Sequence, residues 1–197
     1  MILLKDLNIK SLLDIGANIG EFSTEVRKLI PDCKCFMVEA NDFCEPHLQK
    51  TNIPYDIATL SNTRGFTNFF IQPDNTIGTG ASMYKENSEF YKDPIRKVLT
   101  TKRLDDCNYF SNPVDLIKLD TQGSEINIIM GGIETVKQAK YVLIETSLTL
   151  YNQGAPLIDA TFNLMRDLNF STNTIFEYQY NKNGIFQIDF LFENNKY

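Results

Sequence analysis

Residues 12–23 read LLDIGANIGEFS: an apolar run meets an aspartate, turns through Gly16, Asn18 and Gly20, and resumes at Glu21 with a helical pattern. Leu12, Leu13 and Ile15 suit a strand buried on both faces of a parallel sheet. Gly16 and Gly20 let the backbone bend and come close to a ligand. Beyond Glu21, residues Phe22, Val26, Leu29 and Ile30 share one helical face, and Pro31 ends the helix. The loop therefore lies at the carboxyl end of a strand and the amino end of a helix, where open α/β sheets bind their ligands.

Nucleotides are the usual guests of such a loop, and two kinds compete. The pyrophosphate of a dinucleotide calls for G-x-G-x-x-G and exposed backbone N–H groups at the helix start. This chain has G-A-N-I-G instead, with Asp14 two residues before the first glycine. A carboxylate there would repel a pyrophosphate that it faced. It would attract the ammonium and sulfonium groups of S-adenosylmethionine. The loop is thus read as an S-adenosylmethionine site that includes Asp14. Taken alone, it is equally compatible with a tight turn whose aspartate only caps backbone groups.

Composition narrows the class. The chain has 197 residues, 43% hydrophobic and 22% charged, which predicts a single domain over residues 1–197. Its formal charge is -6 and no long basic run occurs, so neither nucleic acid nor an anionic membrane is an expected partner. The longest apolar runs are of strand length, and the amino terminus lacks a secretory signal's charged start and long apolar core, so a cytoplasmic protein is expected. Cys33, Cys35, Cys44 and Cys107 are read as reduced, packed thiols. Their C-x-C spacing, even with the single histidine His47, matches no common zinc pattern, and no metal is expected, the weaker alternative being a divalent ion at the acidic strand ends Asp120 and Glu145.

Strands and helices alternate along the rest of the chain. KCFMVEAN at 34–41 is a strand ending in Glu39, about twenty residues beyond the glycine loop, where an acidic side chain meets ribose hydroxyls in this architecture. A short helix is expected at 43–51 and a third strand at 55–61, YDIATLS, with Asp56 and the loop after it at the adenine edge. FTNFFIQ at 66–72 reads as an added strand, and the polar segment 73–96 reads equally as a lid over the substrate or as a merely mobile connection. VLTTKRLDD at 98–106 reads as a short strand running into a helix start. DLIKLDTQGSEINIIMGG at 115–132 reads as strand, loop and amphipathic helix, ended by Gly131 and Gly132. A buried strand at 141–148, a helix at 157–169 and two strands, TNTIFEYQY and IFQIDFLFE, joined by a turn at Asn183 and Gly184, close the chain. The pattern predicts a doubly wound α/β sheet with an antiparallel last strand.

With these pieces in order, the sequence resembles the FkbM-type S-adenosylmethionine-dependent methyltransferases over nearly its whole length. The matching stretches are LLDIGANIGEFS, FMVEAN, IATLSNTRGFTNFF, TGASM, VLTTKRLDD, DLIKLDTQGSEINIIMGG, VLIETS and QIDFLF. The resemblance implies a class I methyltransferase fold, a Rossmann-like seven-stranded sheet that is mostly parallel with an antiparallel C-terminal strand. It implies methyl transfer to a hydroxyl oxygen of a small molecule of the sugar or glycan-precursor type. Carried over by position, Asp14, Gly16, Asn18 and Gly20 would form the cofactor loop, Glu39 would hold the ribose and Asn41 would border the adenine. Asp120, Gly123 and Glu125 match the family's K-I-D-V-E-G-x-E pattern, which reads K-L-D-T-Q-G-S-E here, so Gln122 replaces a common glutamate. The first strand also starts too early for the helical extension that covers the substrate in many methyltransferases. The loop at 73–96, or a partner subunit of a homo-oligomer, is expected to serve instead.

Methyl transfer to a hydroxyl needs alignment of the two reactants and a base for the proton. Asp120 is the first candidate base, at the end of the strand beside the cofactor strand; Glu125 and Glu145 follow. Asp120 could alternatively bind the cofactor's amino group, and Glu125 could merely complement a helix dipole. Two readings from other classes stand beside a methyltransferase: a nucleotide-dependent oxidoreductase, disfavoured by the missing G-x-G-x-x-G, and a non-catalytic cofactor-binding protein.

Overall fold

The computed structural model describes residues 2–182 and 184–197. Its centre is a seven-stranded sheet built from β1 (Ser11–Ile15), β2 (Lys34–Glu39), β3 (Tyr55–Ile57), β7 (Leu116–Leu119), β8 (Tyr141–Ser147), β9 (Phe170–Asn181) and β10 (Gly184–Asn194), in the order β3-β2-β1-β7-β8-β10-β9. The pairs β2–β3, β1–β2, β1–β7 and β7–β8 are parallel, and β10 runs antiparallel to both β8 and β9. The strand order reverses at β1, so the glycine loop after β1 lies at the switch point where such sheets bind ligands. The fold expected from the sequence is borne out, including the antiparallel last strand. Asn183, half of the expected closing turn, lies outside the described residues.

Alternation along the strands explains the two cores. Leu13, Ile15, Ile117, Leu119 and Ile144 face one side of the sheet, while Leu12, Leu116, Leu143 and Leu191 face the other. Helix α2 (Glu21–Leu29) lies on the second side, with Val26 fully buried. Complete burial of one such side chain contributes roughly 1.5–3 kcal/mol. Helices α4 (Glu125–Gly131) and α6 (Ile158–Asp167) cover the first side through Ile128, Ile129 and Met165. Helix α3 (Glu45–Lys50) follows β2, and α5 (Ile133–Val136) follows α4. A short helix, α1 (Ile2–Asp6), precedes β1 and has no counterpart in the sequence reading.

The segment YDIATLS divides between two sheets rather than making one strand. β3 edges the main sheet, while β4 (Thr59–Leu60) pairs with β6 (Ile95–Lys102), which pairs in turn with β5 (Gly65–Ile71). One residue, Ala58, separates β3 from β4, and its amide donates to the Glu39 carbonyl at 2.8 Å. Polar alternation over seven residues cannot reveal such a change of partner, because both halves keep the strand period. The helix start expected at 98–106 is a single 3-10 turn, Leu104–Asp106.

Candidate functional site

The carboxyl ends of β1, β2 and β7 enclose a cleft lined by Ile15, Gly16, Val38, Glu39, Leu60 and Asp120, among others. The glycine loop is stitched to both neighbouring strands. The Gly16 and Ala17 amides donate to the Val38 carbonyl at 2.9 and 3.1 Å, and the Asp120 amide donates to the Ile15 carbonyl at 3.1 Å. Gly16 has φ of 81°, and a Cβ there would sit 1.8 Å from the Asp120 carbonyl oxygen. No other residue fits between β1 and the end of β7.

Glu39 stands on the cleft wall and is held by backbone. Its Oε2 accepts from the Asn18 amide at 2.7 Å and its Oε1 from the Asn41 amide at 2.7 Å. Each carboxylate oxygen can accept a second hydrogen bond, so capacity remains for a diol. Burial raises the pKa of Glu39, against the lowering by the Asn41 and Asn18 amides.

The two asparagines of the expected site do something the sequence did not suggest. Asn18 Nδ2 donates to the Ile77 carbonyl at 3.0 Å, and Asn41 Nδ2 donates to the Thr76 carbonyl at 2.7 Å. Together they tie the segment after β5 across the cleft. Farther along, Ser82 bridges to Phe70, and its hydroxyl donates toward the Gln122 carbonyl at 2.8 Å. The segment read as a lid therefore lies fastened over the carboxyl end of the sheet, and Gly78, Thr79 and Met83 line the cleft from that side.

Beside the cleft, ionisable side chains make a row across one face of the sheet. Asp14 pairs in register with Lys118, and Asp189 pairs with both Glu145 and Glu177. Lys118 is buried; its Nζ lies 2.8 Å from Asp120 Oδ2 and 4.0 Å from Asp14 Oδ1. Desolvation opposes its charge, but Asp120 and Asp14 outweigh it and raise its pKa. Glu145 is pushed well above the usual carboxylate range, by burial first and then by the charges of Asp120, Glu125 and Asp189. Asp189 is pushed up to about 7, again by burial first and then by Asp120, with Lys118 opposing. Gln122 bridges the row: Nε2 donates to Glu145 Oε2 at 2.6 Å and to Asp120 Oδ1 at 3.2 Å. A glutamate at 122 could not donate to either group and would add another negative charge, which gives the departure from the family pattern a physical sense.

Three expected site residues stand elsewhere. Asp14 is fully buried beneath α2, where its Oδ2 accepts from Ser23 Oγ at 2.6 Å, and it does not line the cleft. It lies one residue inside the strand end, on the face that α2 covers, so its reach to the site runs through Lys118. Burial raises its pKa. Asp56 turns away from the cleft to accept from Lys102 Nζ and Tyr109 Oη, both at 2.8 Å, while Ala58, Thr59 and Leu60 line the cleft in its place. Glu125 folds back on its own loop, accepting from the Thr121 amide at 2.7 Å and the Gly123 amide at 3.0 Å. Those bonds make it a loop anchor rather than a candidate base. Gly20 has φ of 83° and caps α2. His47 is half-buried on α3 and lines no part of the cleft.

Lys118, Asp189 and Gln122 were missed as site residues. A lysine inside the apolar run LIKL is a signal, because a charge in a strand buried on both faces requires partners. Asp189 carried no local signal; only strand pairing sets it opposite Glu145. Among the described residues, no group of three or more histidine, cysteine, aspartate and glutamate side chains is arranged to hold a metal ion. No described helix is long and apolar enough to cross a membrane.

A family model described as the methyltransferase FkbM domain matches residues 14–172. Over 167 residues the chain is 29% identical to the 2-O-methyltransferase NoeI of Sinorhizobium fredii (strain NBRC 101917 / NGR234), covering 74% of this chain and 67% of that protein. Magnesium protoporphyrin IX methyltransferase (ChlM) from Synechocystis PCC 6803, with bound SAH, superposes with a TM-score of 0.57 at 8% identity, covering 98% of this chain and 78% of that one. TrmK of M. capricolum, in complex with S-adenosyl-homocysteine, gives a TM-score of 0.52 at 9% identity, covering 100% of this chain and 70% of that one. At such identities the two structures bear on the fold alone.

Proposed function

Because the chain belongs to the FkbM methyltransferase family, we propose that it transfers the methyl group of S-adenosylmethionine to a hydroxyl oxygen of a small, sugar-like acceptor. The observation that carries this reading is the Glu39 carboxylate on the wall of an apolar cleft at the switch point of the sheet. The chain's residues fit that cofactor. Val38, Ala58, Leu60 and Ile128 offer apolar walls for a flat base, and Glu39 has acceptor capacity for the ribose hydroxyls. The Asp120 carboxylate brings negative charge to the end of the site where a sulfonium and an ammonium would lie, with the carboxyl groups of Glu145 and Asp189 beside it as hydrogen-bond partners.

When bound, the cofactor supplies a methyl carbon on a positively charged sulfur, which keeps the bonding electrons as a neutral thioether once the acceptor oxygen has taken the methyl. The protein's own work is to hold the two reactants in line, exclude water and accept the hydroxyl proton. Asp120 is engaged by Lys118 and Gln122, which suits it to orientation and charge balance. Glu145 and Asp189 both line a pocket beside Lys118 and Asp120, and burial raises both above the usual carboxylate range, so that either can hold a proton that an ordinary carboxylate would have lost. Glu145 is therefore the proposed base, with Asp189 directly across the strand pair. A raised pKa leaves the base protonated at low pH, so kcat/KM with a pyranose acceptor is expected to rise with pH above the ordinary carboxylate range rather than within it. Glu145→Gln should lower kcat by about 10²-fold or more. A flat pH profile together with an active Glu145→Gln variant would remove the base from this position.

Support for an oxygen acceptor of the sugar type comes from two directions. NoeI is named a 2-O-methyltransferase. The hollow beside the cleft combines the amides of Gln72, Gln122 and Gln187 with the rings of Tyr151 and Phe186, a mixture suited to a polyol. Competing dinucleotide chemistry finds little purchase, since the amides of Gly16, Ala17, Asn18 and Gly20 are all engaged within the protein.

The first test is calorimetric titration with S-adenosylmethionine, S-adenosylhomocysteine and NADH in parallel. Binding of the first two alone is expected, and binding of NADH alone would overturn the reading. Glu39→Gln should weaken S-adenosylhomocysteine at least tenfold, or about 1.4 kcal/mol, because an NH₂ group would then face a backbone amide or a ribose hydroxyl. Unchanged affinity in that variant would dissociate Glu39 from the cofactor.

A further inference from the structure

The hollow beside the cleft lies between the covering segment and the ends of β8 and β10. Its lining contains three carboxylates, Glu86, Asp120 and Glu145, and no lysine, arginine or histidine. Two of the three have partners: Lys118 engages Asp120, and Gln122 donates to Glu145. Glu86 is different. It is only 5% exposed, and among the described residues no cation lies within 4.0 Å of it. Its backbone is set in place by the bridge to Asn152. A buried carboxylate ordinarily has a positive partner, since burial without one is costly.

A second, independent feature lies beside it. Tyr91 is 2% exposed, yet its hydroxyl has no hydrogen-bond partner among the described residues. Both groups converge on Gly80, where a Cβ would sit 2.6 Å from Glu86 Oε2 and 2.8 Å from Tyr91 Oη. A glycine at 80 thus lets the covering segment pass close against both groups, and the niche they line is the part of the hollow in front of them. A single hydroxyl of a ligand has one proton to give and no charge to offer. A primary ammonium has three donors and the missing positive charge, so it can satisfy Glu86 and Tyr91 together.

We propose that this niche receives a primary ammonium group, and hence that the acceptor is an amino sugar with a free amine. The proposal rests on the methyltransferase reading only in assigning the hollow to the acceptor; the niche itself is a property of Glu86, Tyr91 and Gly80. An N-acylated or neutral sugar would leave the Glu86 charge uncompensated. A phosphorylated or carboxylated ring would meet three carboxylates and no exposed cation.

The test is calorimetric titration with glucosamine, N-acetylglucosamine and glucose, with and without saturating S-adenosylhomocysteine. Glucosamine is expected to bind at least tenfold more tightly than either of the others. Glu86→Gln should abolish that preference, and Tyr91→Phe should reduce it several-fold. Equal binding of the three sugars, preference for glucose or N-acetylglucosamine, no binding of glucosamine, or a preference that survives Glu86→Gln each overturn the proposal. The comparison in the unaltered protein decides the matter should a variant fail to fold. S-adenosylhomocysteine binding without amine preference would sink this inference alone, whereas failure to bind S-adenosylhomocysteine would sink the methyltransferase reading.

Discussion

Gly16→Ala is expected to destabilise the protein by about 3 kcal/mol or more and to remove cofactor binding in whatever remains folded. The added methyl would lie 1.8 Å from the Asp120 carbonyl oxygen, and φ at this residue is 81°. Relief requires β1 and the loop after β7 to move apart. That movement would break the Asp120 amide bond to the Ile15 carbonyl at 3.1 Å, and it would press the loop against β2, to which the Gly16 amide is bonded through the Val38 carbonyl at 2.9 Å. For a chain of this size, about 3 kcal/mol corresponds to a fall in Tm of roughly 6–12 °C. Scanning calorimetry with and without S-adenosylhomocysteine separates the two consequences: the variant should melt early and gain little from the ligand. A variant with wild-type Tm would mean that the strands tolerate separation at their carboxyl ends, contrary to the close packing described above.

The second large effect belongs to Lys118→Met, which keeps side-chain length and removes the charge. Asp120 at 2.8 Å and Asp14 at 4.0 Å would then share a buried region with Asp189 and Glu145 and no cation. Removing one partner of a buried ion pair costs about 3–5 kcal/mol, because the remaining charge stays desolvated. The sign of the pH dependence follows from proton counting. Without Lys118 the folded carboxyls take up protons at higher pH than the unfolded chain does, so stability falls as pH rises through that window. Asp189, already pushed up to about 7 with Lys118 present, behaves this way in the parent protein between its unfolded value and about 7. Urea denaturation should therefore find the variant closest to the parent at pH 5 and farthest from it at pH 8. An equal deficit at both values would assign the loss to packing of the lysine stem against Phe22, whose ring centroid is 5.1 Å from Nζ, rather than to charge.

These two residues mark different depths of legibility. Gly16 was readable from its place between a strand and a helix, because the need for a positive φ and a close approach is a local property of the chain. Glu39 was readable for the same kind of reason, being a fixed distance along the next strand. Lys118 showed only as an oddity within an apolar run, and its partners could not be named before β7 was placed between β1 and β8. Asp14 and Glu125 were legible as acidic residues in the right stretches, but their directions were not. Strand alternation and the covering helix turned Asp14 to Ser23, and a left-handed turn at Gln122 and Gly123 brought amides within reach of Glu125.

The sequence by itself determined the sheet, the position of its ligand loop, the acidic residue at the end of β2 and the family. The first three rest on period, punctuation and spacing within a few dozen residues, and the family on the resemblance of eight stretches in order along nearly the whole chain. Tertiary structure alone decided which carboxylates face one another, because Glu145 and Asp189 are 44 positions apart and meet only through antiparallel pairing. It also decided that Asn18 and Asn41 fasten the covering segment, that Asp56 turns toward Lys102, and that Glu86 and Tyr91 meet at Gly80. Charge and hydrogen bonding act through space over a few ångströms, and the distance that matters to them is set by the fold rather than by the numbering of the chain.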